Sequence, residues 1–393
     1  MARQIYLDWA ATTPLREEVK KIIKKNFGLF ANPSSIHTPG RTVRNAIEKA
    51  RAKIAQILYT KPEEIIFTSG ATESCNLAIK GTAFSALERG IKPHIITSAF
   101  EHHAVLEPVE WLEKKQIAEI SIIRPEKDGI VDPVKIEKAI RKNTVLVSIM
   151  MVNNEIGTIQ PIEKIGKIIK RLNRQRQEKI LFHTDATQAV PYLETIPRKL
   201  RVHLLSFSGH KIGGPKGIGV LYCQKEADIE PIILGGKHEF GKRAGTENVL
   251  GILGLAKALE LTIKEREKEN KRVQKLRDWF EKKVLENIPE SQINGAKTQR
   301  SPHISNLYLG PIEAEAILVA LDTVGVSASA GSACTAEDLG PSHVLMSIFS
   351  DQKRADGSVR FSFGWETNQE ELEKTVEVLT KIVRRIRKIA GKE

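Results

Sequence analysis

Short apolar runs alternate with longer stretches of mixed polarity through the first half of the chain. Seven runs of four to six residues have the length and composition of buried strands: 65–68, 94–97, 120–123, 145–150, 180–183, 204–207 and 218–222. Most of the stretches between them have helical spacing, and strands joined by helices form parallel sheets that are covered on both faces. The pattern predicts an α/β fold built on a mostly parallel, seven-stranded sheet.

The second half of the chain follows a different pattern. From about Leu253 to Leu285, charged residues alternate with apolar ones near helical spacing, which predicts one or two long helices. The 393 residues exceed the roughly 250 to 300 at which a single core stops growing. We therefore expect a large domain over residues 12–258 and a smaller α+β domain formed by residues 1–11 and 259–393.

Composition narrows the classes of protein to consider. Hydrophobic residues make up 41% of the chain, the N-terminal residues lack the apolar core of a signal peptide, and no apolar run approaches the ~18 residues that cross a bilayer. We expect a cytoplasmic protein without a membrane span. The three cysteines, Cys75, Cys223 and Cys334, are too scattered for a disulfide framework or a CxxC metal site, so we expect reduced thiols and no bound metal.

The chain is basic, with 61 Lys and Arg against 48 Asp and Glu and a formal charge of +13. The charge is spread along helical stretches such as 20–25 and 384–388, without interleaved aromatic residues. A nucleic-acid footprint would cluster its basic residues on one face. The distribution favours solvated helix faces over a nucleic-acid partner.

Polar residues follow the predicted strands, where ligands gather in open parallel sheets. Ala71 and Thr72 follow the first run in a glycine turn that opens a helix, where free N–H groups and a hydroxyl can hold a phosphate. An ordinary helix start is the alternative. His102 follows the second run, where an imidazole can stack on a ring or move a proton, and a capped or surface histidine is the alternative.

Two further strand ends carry amides and a carboxylate. Asn154 follows the fourth run, although asparagines at a strand end are usually turn formers. Asp185 ends the fifth run, with Gln188 one step beyond it. An aspartate here can pair with the protonated pyridine nitrogen of pyridoxal phosphate, and it can equally be a helix N-cap.

A lysine follows the sixth run. Lys211 stands between Ser208-Gly209-His210 and a glycine-rich turn, where a shielded amine can lose its proton and attack a carbonyl. Taken alone, it is equally a lysine in a turn between two strands. Together the strand ends offer a phosphate cradle, a ring-stacking candidate, two ring-polar partners and an amine, and chance rarely produces this combination.

Matching motifs cover nearly the whole chain, from Tyr6–Pro14 to Arg360–Gly364, and the chain resembles the cysteine desulfurases of the class-V aminotransferase group. The resemblance implies the pyridoxal-phosphate transferase fold of type I. It also implies that Lys211 binds the cofactor as a Schiff base, Asp185 binds the ring nitrogen and Gln188 contacts the ring hydroxyl. The other implied roles are His102 over the ring, Ala71, Thr72, Ser208 and His210 at the phosphate, Asn154 at cofactor and substrate, Arg360 and Asn32 at the substrate carboxylate, and Thr246 reaching in from the second subunit of a homodimer.

One motif separates desulfuration from other pyridoxal chemistry. Cys334 lies in Ser329-Ala330-Gly331-Ser332-Ala333-Cys334-Thr335, and a thiolate on a loop with small neighbours is a good nucleophile toward sulfur. Without the resemblance, a small buried core residue is the commoner interpretation of a lone cysteine. The residues that follow resemble the long-loop branch, which implies transfer of sulfur from L-cysteine through a Cys334 persulfide to an iron–sulfur scaffold or another acceptor. Cys334 would then be the one residue able to contact a transient iron–sulfur cluster.

The chain departs from its relatives in one turn. Many of them have a third glycine and an arginine where this sequence places Lys237 and Phe240, which leaves the details of the inter-subunit wall open. A selenocysteine lyase or a related class-V aminotransferase would keep the cofactor residues without needing Cys334. From other classes, a catalytically idle sulfur-trafficking scaffold and a basic RNA-binding module are the alternatives.

Overall fold

A computed structural model describes residues 4–331 and 340–391. The strands are β1 (Ile5–Tyr6), β2 (Ile65–Thr68), β3 (His94–Ser98), β4 (Glu119–Ile123), β5 (Thr144–Ser148), β6 (Leu181–Asp185), β7 (Leu204–Ser208), β8 (Gly219–Cys223), β9 (Gln292–Ile293), β10 (Ile304–Tyr308), β11 (Val326–Ser327) and β12 (Ser358–Ser362). The helices are α1 (Glu17–Lys25), α2 (Thr38–Leu58), α3 (Ala71–Glu88), α4 (His103–Lys114), α5 (Pro133–Ala139), α6 (Ile162–Asn173), α7 (Pro197–Leu200), α8 (Val249–Asn287), α9 (Ala314–Thr323), α10 (His343–Phe349), α11 (Gln352–Asp356) and α12 (Gln369–Ile389). Short 3-10 turns lie at Pro62–Glu64, Gly209–Lys211 and Glu239–Gly241.

The seven apolar runs all form strands of one sheet. Across the described residues this sheet has seven strands in the order β2-β8-β7-β6-β5-β3-β4, with β8 antiparallel to both of its neighbours and the rest parallel. The prediction of a mostly parallel, seven-stranded sheet is therefore confirmed. Gly219 allows the close approach of β8 to the turn between β2 and α3, because a Cβ there would lie 2.5 Å from the carbonyl carbon of Gly70.

Helices cover both faces of this sheet. Alternate residues of each strand point to opposite faces, so Ile65 and Phe67 of β2 join the core beneath α2 and α8, while Ile66 joins the core beneath α3 and α4. The edge strand β4 is only partly buried, whereas every residue of the central strands β3, β5 and β7 is buried. The parallel strands between these layers end at one edge, where the polar residues gather.

The C-terminal part builds a second core. In the described ranges, β9, β10 and β12 form a three-stranded antiparallel sheet, and β1 pairs with β11 in parallel. Helix α8 is one helix of 39 residues: Leu255 and Leu259 pack in the core of the large sheet, and Val273 and Phe280 pack in the second core. The expected boundary at 258/259 falls within this helix and stays a prediction. No helix in the described part of the chain is long and apolar enough to span a membrane.

Candidate active site

The strand ends open into a cavity of about 500 Å³. Ten of the predicted site residues line it: Ala71, Thr72, His102, Asn154, Asp185, Gln188, Ser208, His210, Lys211 and Arg360. Asn32 is exposed outside this cavity, with its side chain accepting a hydrogen bond from the backbone N–H of Ser34. Thr246 is exposed as well, and Cys334 lies outside the described residues.

Lys211 ends the 3-10 turn that follows β7 directly. The turn is closed by a hydrogen bond from the backbone N–H of Ile212 to the carbonyl of Gly209, at 3.1 Å. Nζ of Lys211 donates to the carbonyl oxygens of Ala10 and Ala11 at 2.6 and 2.7 Å. Sequence reasoning missed these partners because a carbonyl acceptor carries no side-chain signature.

Asp185 ends β6 and is buried. Its Oδ1 accepts a hydrogen bond from the backbone N–H of Thr187 at 2.9 Å, so it caps the following turn and also lines the cavity. Behind it lies Cys75, and burial together with the negative charge of Asp185 raises the pKa of that thiol well above its usual value. Cys75 is therefore a neutral thiol, as is Cys223, whose pKa burial raises to about 11.

Gln188 is held in one orientation. Its Nε2 donates to the carbonyl of Ala10 at 2.8 Å, and its Oε1 lies 3.0 Å from Nε2 of His303. Burial lowers the pKa of His303 to about 3, so the ring is neutral, and Tyr192 stacks on it with ring centroids 4.4 Å apart. These contacts leave one N–H of Gln188 for a ligand. No motif in the sequence points to His303.

His102 is the N-cap of α4. Its Nδ1 accepts a hydrogen bond from the backbone N–H of Ala104 at 3.0 Å, so a neutral ring carries its proton on Nε2. Burial, followed by the positive charge of Lys211 among its neighbours, lowers its pKa to about 4. The capped-histidine alternative is correct in geometry, and the same ring also lines the cavity.

Asn154 and Arg360 lie next to each other on the cavity wall. The turn that contains Asn154 is formed by Asn153, whose Oδ1 accepts hydrogen bonds from the backbone N–H groups of Glu155 and Ile156. The guanidinium of Arg360 donates to the carbonyl of Asn154 at 3.0 Å and to Oδ1 of Asp8 at 2.8 Å. Among the described residues, Oδ1 of Asn154 and Nε of Arg360 are buried without a hydrogen-bond partner, so both can bind a ligand.

The opposite end of the cavity is suited to an anion. Helix α3 begins at Ala71 after Gly70, and its first backbone N–H groups have no acceptor within the helix. Ser208 is buried beside this turn, and Nδ1 of His210 lies 3.1 Å from the hydroxyl of Thr12. Burial, then the positive charge of Lys211, lowers the pKa of His210 to about 4, so this imidazole is neutral.

The residues on both sides of the Cys334 segment are tied to the cavity wall. Ser329 pairs with Arg360 in both directions, with N–H to carbonyl distances of 3.1 and 2.7 Å. On the other side, Nε2 of His343 lies 2.9 Å from the carbonyl of Glu101, the residue before His102. Glu101 is itself buried, and burial raises its pKa to about 8. Sequence reasoning assigned no role to His343 or Glu101.

No group of three or more His, Cys, Asp or Glu side chains suited to a metal ion occurs within residues 4–331 and 340–391. The cavity offers a different set of groups. It combines an amine, a carboxylate, a guanidinium and a helix N-terminus, which suits a phosphorylated ring with a reactive carbonyl and a substrate that carries a carboxylate.

Comparison with known proteins gives concordant results. Residues 5–375 match the family model described as aminotransferase class-V. The cysteine desulfurase IscS of Dictyoglomus turgidum is 49% identical over 99% of this chain and 97% of its own, and that of Methanosarcina thermophila is 44% identical over 99% and 94%. A solved NifS-like protein superposes with a TM-score of 0.88 at 32% identity over 98% of this chain and all of its own. The apo cysteine desulfurase of Thermococcus onnurineus gives a TM-score of 0.84 at 26% identity, over 97% and 95%.

Proposed function

Because the chain belongs to the class-V aminotransferase family, and within it to the cysteine desulfurases, we propose that it converts L-cysteine to L-alanine and takes up the sulfur on Cys334. In this reaction the Cβ–S bond of the substrate breaks, an S–S bond to Cys334 forms and Cβ gains a proton. The products are L-alanine and a persulfide. The sulfur then passes to an acceptor protein for iron–sulfur cluster assembly or the synthesis of another sulfur-containing cofactor.

The residues of the cavity fit pyridoxal phosphate. Oδ1 of Asn154 and Oγ1 of Thr187 are buried, face the cavity and have no partner among the described residues, as expected of groups that bind a polar ring. Lys211 would hold the cofactor's carbonyl carbon, Asp185 its ring nitrogen, and the N-terminus of α3 with Ser208 and His210 its phosphate. When bound, the cofactor supplies an electron sink for the pair released at the substrate Cα.

The protein's own groups then have distinct tasks. Arg360 can bind the substrate carboxylate through Nε, while its pairs with Asp8 and Asn154 fix the guanidinium plane. Lys211 moves the Cα proton, and the carbonyls of Ala10 and Ala11 hold its amine in place. His102 is neutral near pH 7 and can donate from Nε2. Asn32 is exposed, and a role for it at the carboxylate needs a rearrangement of its turn.

One observation carries the sulfur-transfer step. Ser329 forms a backbone pair with Arg360, so the chain enters the Cys334 segment beside the proposed substrate-carboxylate ligand. Cys334 lies five residues beyond Ser329, and five residues span at most about 18 Å. This short separation along the chain from the residue paired with Arg360 is the reason for proposing Cys334 as the acceptor of the substrate sulfur.

The test is the Cys334→Ala variant. It should still bind pyridoxal phosphate and L-cysteine, since neither step needs this thiol, and should form no persulfide detectable by mass spectrometry. Release of alanine and sulfide at the wild-type rate would identify a lyase without a covalent sulfur carrier. Undiminished activity of the variant on L-selenocysteine, with activity on L-cysteine lost, would indicate the selenocysteine lyase alternative.

We further propose a cytoplasmic homodimer. Thr246 is exposed and lies outside its own cavity, beside a segment in which Leu234 and Phe240 are 81% and 53% exposed. Large exposed apolar residues of this kind are typical of an interface. The free thiols of Cys75 and Cys223 agree with a reducing compartment.

A further inference from the structure

Segment 235–248, which leads into α8, is mostly exposed but contains the almost fully buried side chain of Glu239. Its residues Gly235, Gly236, Lys237, Phe240 and Gly241 are exposed, whereas the side chain of Glu239 is only 2% exposed. A buried carboxylate needs a charged or hydrogen-bonding partner to offset its loss of hydration. The partners of Glu239 therefore show what this segment is attached to.

Those partners lie on α2 and β2. Oε1 and Oε2 of Glu239 accept two parallel hydrogen bonds from the guanidinium of Arg51, at 2.9 and 2.7 Å. Oε2 also accepts from the backbone N–H of Phe67 at 2.8 Å, and Arg51 donates in addition to the carbonyl of Ile65 at 2.6 Å. Bidentate charged pairs of this kind fix geometry as well as charge. Glu239 is thus joined to β2, the strand that leads into the turn before α3 at the proposed phosphate end of the cavity.

Two more bonds attach the segment to the same end of the cavity. Nε of Arg243 pairs with Glu73, in the first turn of α3, at 2.9 Å. Nδ2 of Asn248 donates to the carbonyl of Gly217, which lines the cavity, at 3.2 Å. Thr246 lies between these two attachment points and is itself exposed. The segment is held at the edge of its own cavity and presents Thr246 outward.

The backbone conformation at Glu239 indicates that tertiary contacts hold segment 235–248 in its observed path. Glu239 and Phe240 have φ angles of 47° and 58°, in the left-handed region that side chains disfavour. Two such residues in succession persist only where surrounding contacts outweigh the strain. The bonds from Arg51 and Phe67 supply those contacts, so without them we expect the segment to relax to another path.

We propose that Glu239 is a positioning residue for the neighbouring subunit: by anchoring segment 235–248 on Arg51 and β2, it places Thr246 in the phosphate end of the partner subunit's site. This inference rests on the proposed function and on the homodimer within it. The phosphate ends of the two sites in the dimer are then linked. Segment 235–248 of each subunit contributes to the partner's site and is attached to β2 and α3 at the phosphate end of its own site.

Hybrid dimers test the direction of this effect. In the first hybrid, a Lys211→Ala subunit is paired with a Glu239→Gln subunit, so the one site that keeps Lys211 receives an unaltered segment. In the second, a Lys211→Ala/Glu239→Gln subunit is paired with wild type, so the one site that keeps Lys211 receives the altered segment. We expect the first hybrid to show about half of the wild-type desulfurase rate and the second to fall about tenfold below the first. The reverse order, or equal rates, would overturn the proposal.

The second readout does not depend on turnover. At the site that keeps Lys211, the rate at which pyridoxal phosphate dissociates and the ³¹P chemical shift of its bound phosphate should change in the second hybrid and stay as in wild type in the first. If wild type lacks desulfurase activity, the proposed function fails, while cofactor retention still decides the role of Glu239. Sedimentation of the wild-type protein as a monomer would overturn the inference itself.

The matched control is Glu48→Gln. Glu48 also pairs with Arg51, with both carboxylate oxygens 3.2 Å from Nε, but its side chain is 50% exposed and, among the described residues, forms no hydrogen bond with segment 235–248. Both hybrids made with this variant should resemble the first hybrid. Should Glu239→Gln fail to fold, Glu239→Asp keeps the charge and withdraws it from Arg51 by one methylene. We expect it to lower the rate of the second hybrid alone, and a fall in the first hybrid instead would count against the proposal.

Discussion

Oγ of Ser342 donates a hydrogen bond to the carboxylate of Glu155 at 2.5 Å. Ser342 is the N-cap of α10, downstream of the Cys334 segment, and Glu155 follows Asn154 on the cavity wall. On the upstream side, a Cβ built on Gly331 would lie 3.4 Å from the same carboxylate. Glu155 is buried, so the two chain ends that flank Cys334 meet at one buried carboxylate beside the site.

This arrangement predicts a selective defect in sulfur transfer. Glu155→Gln weakens a charged hydrogen bond of roughly 1.5 to 3 kcal/mol, which is on the order of tenfold or more if it is expressed in the rate of persulfide formation. We expect pyridoxal-phosphate binding to be unchanged. Rapid-quench mass spectrometry of the Cys334 persulfide measures the effect, and Ser347→Ala is the control, because within residues 4–331 and 340–391 the hydroxyl of Ser347 bonds only to the carbonyl of Val344 in α10. An equal loss in the rate of persulfide formation in the Ser347→Ala control would show that Glu155 has no specific role in sulfur transfer.

Lys211→Ala should abolish desulfuration while leaving the fold intact. The amine of Lys211 lines the cavity and is held by two backbone carbonyls, whereas Lys216 is more exposed at the rim. Borohydride reduction of the wild-type holoenzyme followed by peptide mapping should place the pyridoxyl group on Lys211. Label found on Lys216 would show that the assignment is wrong.

Arg360→Lys should weaken substrate binding more than cofactor binding. A lysine keeps the charge but cannot contact Asp8, the carbonyl of Asn154 and a substrate carboxylate in one plane. Loss of one charged hydrogen bond of about 1.5 to 3 kcal/mol corresponds to roughly a 10- to 100-fold lower kcat/KM. Steady-state kinetics with L-cysteine measures this loss. Unchanged kcat/KM would indicate that the carboxylate binds elsewhere.

Stability should fall as the pH drops below about 6.5. Burial lowers the pKa of His183 to about 4, and both of its ring nitrogens are bonded to serine hydroxyls. An unfolded histidine titrates near 6.5, so the unfolded chain binds the extra proton between about 4 and 6.5 and gains in relative stability as the pH falls. Burial also lowers the pKa of four more histidines in the described part of the chain, to between about 3 and 4: His94, His102, His210 and His303.

Glu101 makes the stability of the fold depend on pH in the opposite direction. Burial raises its pKa to about 8, so the folded state binds its proton between about 4.5 and 8, and stability from this group falls as the pH rises through that window. Urea denaturation at successive pH values should therefore give a maximum near pH 6.5. His183→Gln should reduce the slope below that maximum by about one proton, or ~1.4 kcal/mol per pH unit. Glu101→Gln should flatten the decline above it, and unchanged slopes in both variants would contradict this account.

Much of the fold could be predicted from local pattern. The strand runs have a period and length that tertiary context did not change, so Ile65–Thr68 and Leu204–Ser208 form strands where expected. The one or two helices expected near 253–285 are a single helix, because its two halves pack in different cores without a break. The alternatives at His102 and Asp185 were each correct in part, since a strand-end side chain can cap a backbone turn and face a cavity at once.

The amino-acid pattern was enough to predict which side chains gather at the site: parallel strands end at one edge, so side chains placed after them must meet there, and Lys211, Asp185 and His102 line one cavity as expected. The distant groups that hold those side chains could be identified only from the folded chain. The carbonyls of Ala10 and Ala11 at Lys211, His303 at Gln188 and Arg51 at Glu239 are separated from their partners by more than one hundred residues. Such pairs have no local period or motif, because the packing of the two cores alone brings them within hydrogen-bonding distance.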